Sequence, residues 1–75
     1  MNYIKIESID GTIRAINVDT IVYVQSRGDD MCEICHVSGG NSNVVVAQRS
    51  IDSVLDVIDS IKHYEMLDRI NGRRT

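Results

Sequence analysis

VVVAQRSIDSVLDVIDSI, Val44 to Ile61, is where the chain changes its period. Val44-Val45-Val46-Ala47 is a continuous apolar run rich in β-branched residues, as in a strand covered on both faces. After Ser50 the apolar residues return every three or four positions, at Ile51, Val54, Leu55, Ile58 and Ile61. That spacing gathers them on one side of a helix and puts Asp52, Asp56, Asp59 and Ser60 on the other. Ser50 has the chemistry of an N-cap, and Asp52 falls in the first turn, where the helix dipole favours an anion. The stretch predicts a last strand over 44–47 and a helix over 51–70 lying on one sheet face. Asn71-Gly72 supplies a stop, which leaves a flexible basic tail over 71–75.

Upstream the period is two. Tyr3 to Ser8 (YIKIES) alternates strictly, with Ile4 and Ile6 on one face. Asp10-Gly11 predicts a type I′ hairpin turn, because both residues tolerate positive φ, and a returning strand over 12–16. Asn17-Val18-Asp19 predicts a corner. Residues 21–26 (IVYVQS) read as a central strand apolar on both faces, Arg27 to Asp30 as a loop, and 31–38 as a fourth strand. Gly39-Gly40-Asn41-Ser42-Asn43 reads as a turn cluster. Connections this short predict sequential antiparallel pairing. The expected fold is α+β: one domain over 1–75, with a five-stranded, mainly antiparallel, curved or barrel-like sheet and one C-terminal helix packed on it.

With 75 residues, the chain buries only roughly 60 to 65% of the surface it exposes when unfolded, so a disulfide, a metal or a partner subunit is the usual supplement. The formal charge is −3; Arg69, Arg73 and Arg74 contribute +3, so the residues before them sum to −6. An acidic body argues against a broad phosphate-binding face, and only the arginine tail offers nucleic acid a contact. MNYIKIES lacks a basic segment followed by an apolar run of signal-peptide length. No apolar segment approaches the roughly 20 residues that span a bilayer. The expectation is a cytoplasmic protein with reduced thiols and no membrane contact.

Asp29 to His36 (DDMCEICH) contains Cys-x-x-Cys-His, the spelling of a c-type haem attachment. On a strand, residues three apart face opposite sides, so Cys32 and Cys35 cannot both reach one haem or one metal. Only His36 and His63 remain to complete a zinc set, and neither has zinc-finger spacing. Nor does the pair open a helix, where redox motifs of this kind acquire a low thiol pKa. Both cysteines therefore read as packing residues, with no metal and no cofactor implied. Arg27-Gly28-Asp29 spells an integrin-binding tripeptide, but as a turn it needs only glycine's positive φ. No glycine-bracketed serine stands near either histidine, and Gly39-Gly40-Asn41 lacks the lysine and following helix of a phosphate loop. Nothing here points to an enzyme.

Several segments carry a resemblance. IKI at 4–6, Asp10-Gly11, Ile16-Asn17, DTIVYV at 19–24, VVV at 44–46 and SIDSVLDVID at 50–59 resemble the small flagellar-operon proteins of the FlbD (SwrD) type. The segment SRGDDMC stands where that family usually has Pro-Asp-Thr, and GGNSN where it has a single-glycine turn. DTIVYVQS together with VVVAQRSIDSVLDVI also resembles, more faintly, the LytTR DNA-binding domain. These resemblances imply an accessory or regulatory protein that acts through contacts.

The leading expectation is a non-enzymatic cytoplasmic interaction module working as a homo-oligomer with a further protein partner. Its contacts would run through a second apolar strip on the helix, Val57, Tyr64 and Leu67, and through a sheet edge. The alternative is a small-anion or nucleotide-binding protein with an intersubunit pocket, where Arg14, Arg27 or Arg49 would hold the anion. Last comes a nucleic-acid-binding regulator using Arg69, Arg73 and Arg74.

Overall fold

All five strands pair antiparallel, but in two sheets rather than one. The computed structural model describes residues 2–72, with side chains as far as His63. Strands β1 (Tyr3–Glu7) and β2 (Ile13–Asn17) form a hairpin. A short 3-10 helix, Val18–Thr20, then leads to β3 (Ile21–Ser26), β4 (Cys32–Ser38) and β5 (Asn41–Ala47), which pair in that order. The helix α1 (Ile51–Gly72) follows.

The predicted β2–β3 pairing is absent because of the corner. Asn17 accepts the Asp19 N–H at 3.0 Å, Thr20 Oγ1 donates to the Asn17 carbonyl at 2.7 Å, and Val18 is buried. This 3-10 turn carries the chain out of one sheet and into the other. The sheets meet instead at a single antiparallel bridge, Ser8 to Ala47. Two bonds flank it: the Ile9 N–H donates to the Val46 carbonyl and the Gln48 N–H to the Glu7 carbonyl. The strands do not close into a barrel.

Three local readings change. At the first turn only Gly11 has positive φ, so Asp10-Gly11 is not type I′. Asp10 works through its carboxylate, which accepts hydrogen bonds from Ser8 Oγ and the Thr12 N–H. Its pKa falls to about 2, first because of the Ser8 bond and then because of Thr12. The type I′ geometry belongs to Gly39 and Gly40, both at positive φ between the paired Ser38 and Asn41. Two residues complete that turn, so β5 starts at Asn41 rather than Val44.

On α1 the side facing the core is rolled. Ser50 caps it as expected, its Oγ accepting the Ser53 N–H at 3.2 Å. Val54 and Ile58 are buried, and Ile51, Val57 and Ile61 pack beside them. Leu55 is exposed. Seen down the helix, Leu55 lies about 100° from Val54 and Val57 only about 60°, so the roll that centres Val54 takes Val57 in and leaves Leu55 out. Val57 thus leaves the predicted second strip, while Tyr64 and Leu67 belong to side chains outside those described. The core joins Ile4, Ile6, Ile16 and Val18 to Cys32, Ile34, Val45 and Ala47, with the helix against them.

Candidate interaction surface

One helix covers one face of the β3–β4–β5 sheet. Cross-strand partners share a face, so the register sorts every side chain. Cys32 with Ala47, and Ile34 with Val24 and Val45, face the core. The other face carries the row Tyr23–Cys35–Val44, with Val37 beside Ser42 on one side and Gln25–Glu33–Val46 on the other. Among the described residues, the helix side chains that pack with a cluster, Ile51, Val54, Val57, Ile58 and Ile61, pack with the core one. Tyr23 is 43% exposed and Val44 54%. A bulge between Ile21 and Tyr23 adds the exposed Val22 at the end of β3.

The polar row borders this apolar strip. Gln25 Nε2 donates to Glu33 Oε2 at 2.7 Å, and Arg27 Nη1 pairs with Glu33 Oε1 at 3.2 Å. Between Tyr23 and Val44, Cys35 is only 7% exposed although it lies outside the core cluster. Charge on Cys35 is the first reason the Tyr23 phenol titrates above its ordinary range, with partial desolvation next and Glu33 third. On the core side, burial pushes the Cys32 thiol up, partly offset by Arg49. The opposite-face placement of the two cysteines follows the alternation read from DDMCEICH. Among the described residues no three His, Cys, Asp or Glu side chains group as metal ligands.

The three candidate anion-holding arginines do not converge. Arg27 is held by Glu33, and Arg49 Nε donates to Ser53 Oγ at 3.2 Å beside the helix start. Arg14 lines an open cleft of about 270 Å³ with Ser8, Ile9, Asp10 and Val44 to Val46, where the Asp10 carboxylate already supplies an anion. A second open cleft, about 310 Å³, lies between Tyr3, Ala15, Asn17, Thr20, His36 and Ser38 and contains no arginine. Arg69 lies on the helix beyond the described side chains, and Arg73 and Arg74 lie outside the described residues. Within those residues no helix is long and apolar enough to cross a membrane.

The apolar row was missed in the sequence because β3 and β5 read as covered on both faces. The available signal was the count of elements. The helix and the β1–β2 hairpin both pack on the core face of the three-stranded sheet, which leaves no described element for the other face. Comparison with known proteins returned no match among family models, curated proteins or solved structures.

Proposed function

We propose that this protein is a non-enzymatic interaction module that works as a homo-oligomer, in the accessory or regulatory role that the FlbD resemblance implies. The observation that carries the reading is the open row Tyr23–Cys35–Val44, with Val37 at its flank and the Gln25–Glu33–Arg27 group as a polar rim. An apolar strip with a polar border is the usual anatomy of a contact surface. Among the described residues the core is small, about ten buried apolar residues, so association adds burial where the fold is short of it. Tyr64 and Leu67 remain in the proposal as a second contact, along the helix.

Native mass spectrometry of the full chain, sampled across the micromolar range, tests this. A dimer or larger species without added mass supports the reading, and Tyr23→Lys should lower that mass. Monomer at every concentration would remove it. An oligomer carrying extra small-molecule mass would favour the intersubunit anion pocket instead.

A further inference from the structure

We infer that two copies of the chain join β5 to β5 about a two-fold axis at Asn43, so that Ser42 of each pairs with Val44 of the other. This deepens the proposed function and rests on it for self-association. The backbone sets the pairing. Val46 turns its carbonyl away from β4 to accept the Ile9 N–H, and Gln48 turns its N–H the same way toward Glu7. Strand groups alternate, so Ser42 and Val44 also point their N–H and C=O groups away from β4. Among the described residues no backbone bond from another element meets them there.

The segment Asn41-Ser42-Asn43-Val44-Val45 has no charge, no proline and no bulge, the features that normally blunt an edge. Its best complement is a second copy of itself, and only one register serves. Pairing Val44 with Val44 would set Ser42 against Val46, whose carbonyl is taken. Pairing Ser42 with Ser42 would set Val44 against Gly40, which lies in the turn at φ 81. Ser42 opposite Val44 forms two doubly bonded pairs from extended, unpaired residues, and its ladder stops where Gly40 of one copy meets Val46 of the other. That register brings the second copy's Gly39-Gly40 turn toward the cleft between Ile9, Asp10 and Val44. Glycines suit that approach, since they bring no side chain into it.

Joined this way, the two outer faces form one sheet in which the row Tyr23–Cys35–Val44 continues through Ser42 and Val37 of the second copy.

Two variants of the full chain test the pairing. Val44→Pro deletes an N–H that points outward, so the β4–β5 ladder survives while the joint loses a donor. Its mass should fall to monomer at concentrations where the unsubstituted chain is dimeric, with unchanged far-UV circular dichroism. Asn43→Cys should form a covalent dimer under mild oxidation, because a residue facing itself in a non-hydrogen-bonded pair has Cα atoms about 4.5 Å apart. Asn41→Cys, which faces Val45, should not. A Val44→Pro chain that stays dimeric, or an Asn43→Cys chain that does not cross-link, overturns β5 pairing and leaves self-association by another surface standing. Monomeric unsubstituted protein overturns both. Should Val44→Pro fail to fold, the Asn43→Cys result decides.

Discussion

Cys32 and Cys35 are three residues apart on one strand, and both are hidden from solvent, at 0% and 7% exposure. What hides them differs. Cys32 sits in a core built by two sheets and a helix. Cys35 is hidden on the opposite face, between Tyr23 and Val44, where no described element packs over it. Burial measured residue by residue is the same quantity in both places, yet only one of them is interior. Stability therefore concentrates on the Cys32 face, and the Cys35 face is free to be used by something else. Changes on the two faces should separate into large and small.

The widest gap is expected between Ile34→Ala and Val37→Ala. Ile34 is fully buried between the sheets and α1, and removing such a side chain typically costs about 2–5 kcal/mol. In a chain this small that is a large share of the total, so the urea midpoint should collapse or the chain should be found unfolded. Val37 is exposed on the outer face, and its truncation should stay within about 0.5 kcal/mol. Equal costs would mean that the outer face is covered in solution by a contact other than the β5 joint, which leaves that face open.

Cysteine chemistry sharpens the same contrast at smaller cost. Cys32→Ser buries a hydroxyl in an apolar core, an expected loss of about 1–3 kcal/mol. Cys35→Ser, between Tyr23 and Val44, should lose less. In the folded protein the Cys32 thiol, pushed up by burial, should react with a disulfide reagent only as fast as the core opens. Cys35 needs only local side-chain movement and should react first. A Cys35→Ser chain that still shows a fast thiol would reverse the assignment of the faces.

These two residues also mark how far the sequence could be read. Opposite faces for Cys32 and Cys35 followed from alternation, and the Ser50 cap and the helical period followed from spacing, because all three are local. Val57 and Leu55 sit on opposite shoulders of one apolar stripe, and only the tertiary roll of α1 chooses between them. The β2–β3 break was equally hidden: Asn17-Val18-Asp19 announced a corner without saying that it would change sheets. The open row on the outer face needed the number of covering layers, which no single strand contains.

Asp10 closes the tip of the β1–β2 hairpin, beside the bridge between the two sheets, and gives a pH-dependent test. Its folded pKa is lowered to about 2 by the Ser8 and Thr12 hydrogen bonds, from an unfolded value near about 3.9. A depressed carboxyl stabilises the fold above the unfolded pKa and loses that contribution as pH falls through the folded one. The unsubstituted chain should therefore outlast Asp10→Asn in urea at pH 7, with the difference fading between about pH 4 and pH 2. A gap that persists at the acid end would assign the effect to the amide's geometry and not to charge.

The smallest effect belongs to the polar rim. Arg27 has a side chain 56% exposed, and Glu33 keeps a second partner in Gln25 when Arg27 is removed. Pairs of this kind contribute about 0.2–1 kcal/mol and are screened by salt. Arg27→Ala should shift the urea midpoint slightly at low ionic strength and not measurably in concentrated salt. If the same change also altered the oligomeric mass, the rim would belong to the interface and not merely border it. That outcome would move the contact from the β5 edge toward the β3 side of the sheet, since Arg27 follows β3 and sits two strands away from Asn43.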